Sequence, residues 1–521
     1  MVLLRSIATV GGFTLISRVL GFLRDILIAT VLGAGAGADV FFVAFKLPNL
    51  FRRLFAEGAF ASAFVPLFNR RMVEGQSEAQ RFAESVLSIL LPTLIVFGAI
   101  AMMVMPWVVA YFAPEGLERD PEALPIAVMM AQITFPYLLF MSLATLVAAV
   151  LNSLSRFAAA AAAPILLNLC LIVALIYGAS LGEGVMARRE SAFWQSVALS
   201  LSGLLQLVWL AFWMHRAGFR IRMVLPRISP GVKELGILIV PAVFGAGIYQ
   251  ISRFVDLFFL STLEVGSYTY LAMADRWNQL PLGIIGIALG TAILPALSRY
   301  LSREENEEAQ RLQSNAIELA MLLTVPAAAA LFVSGSAFTR VFFAGGAFSL
   351  EDAMITGTVV SGLVIGLPAY VLIKVLTPNF FARKDTRTPV YTAAFSLVVT
   401  VGLNIALVPR LGVLALAVAG SIGAWCNVAM LYVILAKRGF FRLPARIAGR
   451  IVRIFVAALV MGVALWFLMQ PLDPWFGGTT LQRTGGIAAV TLTGAAVYGI
   501  AAILLGVLDR ATIARLMRRQ T

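Results

Sequence analysis

The chain has 521 residues, of which 60% are hydrophobic and 13% charged, and 40 Lys and Arg against 26 Asp and Glu leave a formal charge of +14. A soluble domain is about 45–50% apolar and about 25% charged, so a mean hydropathy of +0.93 excludes a soluble enzyme and points to an all-α polytopic membrane protein. The excess base is read first through loop topology and not as a nucleic-acid surface. Cys170 and Cys426 lie far apart in apolar runs, expected as buried thiols, so neither a disulfide framework nor a cysteine metal site is supported.

With about 20 apolar residues per crossing, spans are expected near 6–32, 38–68, 85–112, 125–151, 158–180, 191–214, 234–262, 265–298, 312–335, 353–382, 388–408, 412–436, 451–470 and 485–508, fourteen helices in all. Several exceed the minimum, and kinks are expected at Pro48, Pro136, Pro281 and Pro368. Arg5 ahead of an apolar stretch has the look of a signal peptide, but Arg18, Arg24 and Asp25 follow without a clear cleavage site, so the stretch is read as the first helix. With the N-terminus inside, the inner loops and ends hold 26 of the 40 basic residues and the outer loops hold six. That bias puts both termini in the cytoplasm.

The remaining eight bases fall inside predicted spans: Arg18, Arg24, Lys46, Arg52, Arg53, Arg253, Arg276 and Lys374. At about 2.5–3.5 kcal/mol for each charge at a helix centre, these and acids such as Asp25, Glu57, Asp256 and Asp275 cannot face lipid, and they imply a wet interior. Some pair internally: Arg53 with Glu57 at i,i+4, Arg253 with Asp256 at i,i+3, and Arg18 with Asp25 two turns apart. Lys46 and Lys374 are as well accounted for by pairing or snorkelling as by a functional role. Bases still exceed acids, and an anionic substrate is the simplest complement.

The first half recurs about 230 residues later. Ile16-Ser17-Arg18 returns as Ile251-Ser252-Arg253, Leu47-Pro48 as Leu280-Pro281, and Glu78-Ala79-Gln80-Arg81 as Glu308-Ala309-Gln310-Arg311. An even number of helices separates the copies, so they share one orientation. The expected design is two six-helix lobes related by a pseudo-two-fold axis along the membrane normal, enclosing a central cavity and able to rock between inward- and outward-open states. Residues 1–216 form the N-terminal lobe (helices 1–6), 217–440 the C-terminal lobe (helices 7–12), and 441–521 helices 13–14 with a basic cytoplasmic tail. Helices 13 and 14, nearly free of buried charge, are read as a lipid-facing addition.

The run Gly33-Ala34-Gly35-Ala36-Gly37-Ala38-Asp39 lacks the Lys-Ser/Thr ending of a phosphate loop and follows a membrane helix, so it is a flexible external turn. Gly286/Gly290 and Gly362/Gly366 suit close helix packing. The single histidine, His215, sits beside Arg216 at a helix end; no metal cluster or nucleophile-base pair can be assembled, so no cofactor is expected and the chain is read as a transporter, not an enzyme.

The stretches Ser17-Arg18-Val19-Leu20-Gly21-Phe22 with Arg24-Asp25, Gly33-Ala34-Gly35 with Asp39, Phe41 through Leu50, Arg52-Arg53, and Phe55 through Phe60 resemble the MurJ (MviN) family of lipid II flippases. So do Tyr270 with Ala274-Asp275-Arg276, and Lys384-Asp385 with Thr388-Pro389, which makes the likeness run along essentially the whole chain. The resemblance implies the multidrug/oligosaccharidyl-lipid/polysaccharide exporter superfamily and lipid II, an undecaprenyl pyrophosphate bearing a disaccharide-pentapeptide, as substrate. It implies that Arg18, Arg24, Arg52 and Arg276 line the cavity and meet the diphosphate, with Ser17, Asp25, Asp39, Asn49, Arg53, Glu57 and Asp275 in support. Gln279, where some relatives carry Glu, is a departure. Arginine's fork of donors suits phosphate oxygens, which gives the set a chemical reason. Asp256 is read either as an ion ligand or as the internal partner of Arg253. With no nucleotide site visible, direction is expected from the membrane potential or an ion gradient. Membrane lipids and cell-wall synthesis proteins are the other expected partners; a flippase for another polyprenyl-linked glycan and a multidrug or cation exporter are the alternative functions.

Overall fold

The computed structural model describes residues 2–53, 58–115, 117 and 122–508. Among them helices are the only extended regular structure, with two isolated bridges and no strand. The chain separates into two compact units, Met1–Thr269 with Gly345–Phe348, and Tyr270–Ala344 with Ser349–Thr521. Ten helical segments among the described residues are long and apolar enough to cross a membrane.

The first unit is built from α1 (Val2–Leu32), α2 (Ala36–Arg52), α3 (Gly58–Glu74), α4 (Gln76–Phe112), α5 (Ala123–Thr134), α6 (Pro136–Ser153), α7 (Phe157–Ser180), α8 (Val185–Arg216) and α9 (Pro230–Ser261). Phe60, Phe64 and Phe68 recur at helical spacing along α3, and their rings stack at 5.3 and 5.5 Å, with Phe82 of α4 against Phe64 at 5.4 Å. This aromatic column is the heart of a core that also takes Leu151, Leu210 and Leu235 from α6, α8 and α9. Glu234, near the start of α9, accepts from Arg70 and Arg71 of α3 at 2.9 and 3.3 Å, and the Arg71 guanidinium lies 4.1 Å over the Phe82 ring.

The second unit holds α10 (Ser267–Pro281), which opens in the last residues of the first unit, then α11 (Ile287–Ser302), α12 (Asn306–Phe343), α13 (Leu350–Val364), α14 (Leu367–Ala382), α15 (Arg387–Leu411), α16 (Val413–Lys437), α17 (Ala445–Leu472) and α18 (Thr480–Leu504). Its core gathers Ile317, Met321, Val375, Phe380, Leu431 and Ile454 from α12, α14, α16 and α17. Cys170 on α7 and Cys426 on α16 are free and only half-buried, not the buried thiols expected, because both helices turn part of their surface outward.

Three stretches expected as single spans are each made of two helices. The segment 265–298 is divided into α10 and α11 with a π-helical turn, Leu282–Gly286, between them, while α2 and α3 of 38–68 flank residues outside those described. At 125–151 the break falls at Phe135 before Pro136, and at 353–382 it falls before Leu367-Pro368. A proline stands at each of the three breaks, where its missing amide and its ring interrupt the helical hydrogen-bond ladder. Pro48 behaves differently from the expected kink: α2 runs through it to Arg52. The carbonyl that Pro48 frees, on Ala44, accepts instead from the Thr134 hydroxyl of α5 at 3.0 Å. The same remedy recurs twice. Gln132 of α5 donates to the Met102 carbonyl freed by Pro106 in α4 at 2.9 Å, and Tyr498 of α18 donates to the Leu322 carbonyl freed by Pro326 in α12 at 2.9 Å.

The element order repeats along the chain. A long helix of 31 residues (α1) or 32 (α9) is followed by two shorter ones (α2, α3; α10, α11), then by one of 37 (α4) or 38 (α12), then by a second shorter pair (α5, α6; α13, α14) and two continuous helices.

α17 begins at Ala445, ahead of the apolar window expected at 451–470, and so carries Arg450 inward. Arg450 was expected among the loop charges, and helices 13 and 14 were expected to be nearly free of buried charge; both expectations fail here. Its Nε lies 2.8 Å from Glu318 Oε1 of α12, the two side chains only 7% and 10% exposed, and its Nη2 donates to the Val507 carbonyl beyond α18 at 2.6 Å. One guanidinium thus ties α12, α17 and the end of α18. Toward the other end of α17, Arg340 of α12 pairs with Asp473 at 2.5 Å.

Between α14 and α15, Asp385 closes a compact turn. Its Oδ1 accepts from the Arg387 and Thr388 amides at 3.1 and 3.0 Å, and its Oδ2 from the Thr388 hydroxyl and Arg438, each at 2.6 Å. Partial burial works to raise this carboxyl, but the Thr388 and Arg438 bonds outweigh it and lower the pKa from 3.8 to about 2.

Two measurements check these assignments. Glu318→Leu alone strands a buried guanidinium and should lower stability by about 3–5 kcal/mol, whereas Glu318→Leu with Arg450→Met should recover most of the loss; thermal unfolding in detergent showing the double variant no better than the single one refutes the pairing. For Asp385, a folded pKa below the unfolded one means stabilisation that is complete above 3.8 and lost as pH falls toward about 2. The stability gap between wild type and Asp385→Asn should therefore narrow across that window, and a gap constant with pH contradicts it.

Candidate functional site

α1 is the helix richest in the expected site residues. Arg24 and Asp25 are 8% and 2% exposed. Arg24 donates to Asp25 Oδ1 from Nε at 3.1 Å and from Nη2 at 2.7 Å, and from Nη1 to Asn168 Oδ1 of α7 at 3.0 Å. Part of its donor fork remains uncommitted. Asn168 in turn donates to the Ser17 carbonyl at 2.9 Å and the Ser17 hydroxyl at 3.3 Å. Ser17, Arg24 and Asp25 thus form one connected polar network, and its fourth member is a residue that sequence reasoning missed. Asn168 stands inside the apolar run of α7, and a buried amide in such a helix is the signal that could have found it.

Arg18, one residue from Ser17, is half-buried and has no hydrogen-bond or ion-pair partner among the described residues. It sits in α1 at a cost that only solvent, substrate or a polar neighbour can offset. On α2, Asn49 Oδ1 accepts from Arg52 Nε at 2.9 Å, so a half-buried guanidinium is held on its own helix one turn away, while Arg53 is exposed. Glu57, expected to pair with Arg53, lies outside the described residues. Lys46 places its ammonium 5.1 Å from the centre of the Tyr268 ring.

Asp39 is fully buried and committed to the backbone. Its Oδ2 accepts from the Gly266 amide at 2.6 Å, and its Oδ1 from the Thr269 amide at 3.0 Å and hydroxyl at 2.6 Å. These bonds hold the reversal between α9 and α10. Arg253 and Asp256 of α9, left between ion ligand and internal pair, lie 3.7 Å apart as an i,i+3 ion pair.

In the second unit, Asp275 accepts from Gln279 Nε2 at 2.6 Å, so the residue read as a departure serves as donor to a neighbouring acid. Arg276 is half-buried beside it on α10. Lys374 of α14 runs over Gly286 and Gly290, where a Cβ would meet its side chain at 3.2 and 3.6 Å. The glycine pair expected for close packing therefore makes room for a lysine stem as well.

Charge in the first unit is thus of two kinds: Arg24 is matched within hydrogen-bonding distance by groups of its own unit, whereas Arg18 presents a cation with no such match among the described residues. A half-buried guanidinium with free donors is a site for a compact anion.

Comparison with known proteins gives this chemistry a family. The family model described as "Lipid II flippase MurJ" matches residues 28–484. A probable lipid II flippase MurJ of Rhizobium tropici is 38% identical over 523 residues, covering 100% of this chain and 97% of that one, and one of Rhizobium meliloti (strain 1021) is 42% identical over 469 residues, covering 89% and 86%. Among solved structures, a lipid II flippase MurJ in an inward closed conformation superposes with a TM-score of 0.78 at 22% identity, covering 98% of this chain and 99% of that one. An inward-facing multidrug resistance MATE transporter of the MOP superfamily gives 0.65 at 14% identity over 81% and 94%, so the fold is shared beyond the family. The chain belongs to the lipid II flippase MurJ family, and it is a multi-pass membrane transporter rather than an enzyme.

Proposed function

We propose that this protein moves lipid II, the undecaprenyl-pyrophosphate-linked peptidoglycan precursor, from the inner to the outer leaflet of the cytoplasmic membrane by alternating access. Family membership over nearly the full chain supports the substrate. Arg18, Arg24 and Arg52 from the first half and Arg276 from the second bind the diphosphate. The observation that carries this assignment is Arg18, a half-buried cation of α1 without an anionic partner among the described residues. Asp25, Asn49 and Asp275 hold the guanidinium groups apart and limit their mutual repulsion; Asn49 does so through its bond to Arg52.

Fourteen crossings, with both termini cytoplasmic, form two six-helix lobes, 1–216 and 217–440, related by a pseudo-two-fold axis. The repeated order of long helices and pairs of shorter ones supports this plan. The lobes rock about a central site, and residues 441–521 add an apolar surface along which the polyprenyl tail travels while the headgroup crosses through the wet interior. A symmetric carrier only equilibrates its ligand, so the membrane potential or an ion gradient supplies direction, at about 2.3 kcal/mol per charge per 100 mV. Proteins of cell-wall synthesis take up the delivered precursor.

The test is replacement of Arg18, Arg24, Arg52 and Arg276 singly by Gln in cells that depend on this protein, with external accessibility of lipid II headgroups as readout. Each variant should insert normally yet leave the headgroups inside and fail to sustain growth. Full complementation by well-inserted variants would sink the arginine assignment.

A further inference from the structure

The geometry points to Asn168 as a positioning residue for substrate capture, acting through Arg24. This deepens the proposed function and rests on Arg24 being one of the groups that bind the lipid-linked diphosphate. Asn168 is 5% exposed in the middle of α7, whose neighbouring positions are Leu, Leu, Leu and Cys. A primary amide buried there without partners is costly in an apolar medium. Its polar atoms are both satisfied, and the pattern of bonds fixes its orientation. A guanidinium has only donors, so the amide oxygen must face Arg24 Nη1, at 3.0 Å. The amide nitrogen then faces the carbonyl and hydroxyl of Ser17, at 2.9 and 3.3 Å.

One side chain of α7 therefore grips α1 at two places two turns apart: the backbone immediately before Arg18, and the head of Arg24. Gly21, between them, leaves the space in which the amide lies, since a Cβ there would sit 3.7 Å from both Asn168 polar atoms. The second grip has an electrostatic consequence. Arg24 is adjacent to Asp25 and already gives it two donors. By drawing Nη1 aside with a neutral acceptor, Asn168 fixes the plane of the guanidinium and keeps it from turning wholly toward the carboxylate, without adding a negative charge that would compete with an anionic ligand. A carboxylate in its place would bind Arg24 more tightly and weaken its attraction for phosphate; an apolar side chain would leave it to Asp25.

The experiment is a double-mutant cycle on lipid II affinity, by equilibrium titration of the full-length protein in detergent, with the thermal midpoint measured alongside. Asn168→Leu, nearly isosteric, should weaken binding about tenfold, the scale of one hydrogen bond to a charged group. Arg24→Gln should weaken it at least as much, and the double variant should be no worse than Arg24→Gln alone, because Asn168 has nothing left to position. Where Asn168→Leu fails to insert, Asn168→Ser, too short to reach Arg24, should show the same dependence. Additive losses, or a lowered thermal midpoint with affinity unchanged, overturn the positioning role. Unchanged affinity in Arg24→Gln removes Arg24 from the binding set and this inference with it, whereas weakening in Arg24→Gln but not in Asn168→Leu leaves the binding set standing and refutes Asn168 alone.

Discussion

Within hydrocarbon there is no water to take up a hydrogen bond, and the architecture of this protein depends on that shortage. Each proline inside a membrane helix releases a carbonyl that must find a donor elsewhere. For Pro48, Pro106 and Pro326 the donors are side chains of packed neighbours, Thr134, Gln132 and Tyr498. These bonds hold α2 and α4 to α5, and α12 to α18, at fixed heights. Each of these three prolines thus gives its helix a partner, and sequence defects become registration marks between helices. At Pro136 and Pro368 the helix divides instead.

Charged groups obey the same rule more strictly, and two solutions coexist. Arg450 and Glu318 neutralise one another across a helix interface and serve to hold α17 on α12. Arg18 is left without a partner among the described residues, which is tolerable only where water or a ligand reaches it. The contrast separates cations that build the fold from cations available to a substrate. A count of intramembrane bases does not make that distinction.

Much of this was legible in the sequence. Apolar windows located the helices, and the placement of proline anticipated the three divided segments, because both signals are local. The ion pair of Arg253 with Asp256 followed from i,i+3 spacing for the same reason. The long-range partners were not legible: Asn168 lies 144 residues from Arg24, and Glu318 belongs to a different helix from Arg450. Asp39 looked like one more cavity acid, yet its carboxylate is spent on backbone amides at residues 266 and 269, a use that spacing does not reveal. Arg450 was misplaced because an apolar window marks where lipid begins and not where a helix begins; α17 starts several residues earlier and takes its arginine inside.

The adjacency of Arg24 and Asp25 bears on how the chain enters the membrane. A helix inserted during synthesis meets the lipid before its later neighbours exist, and α1 precedes α7 in the chain. Because the carboxylate that matches Arg24 is the next residue in the chain, the pair can form within an isolated α1 and present the bilayer with something close to a dipole. Asn168, more than a hundred residues downstream, arrives later and takes Nη1, the arm that Asp25 leaves unused. The order of synthesis thus places neutralisation first, and the bond that sets the plane of the guanidinium forms only once α7 has packed.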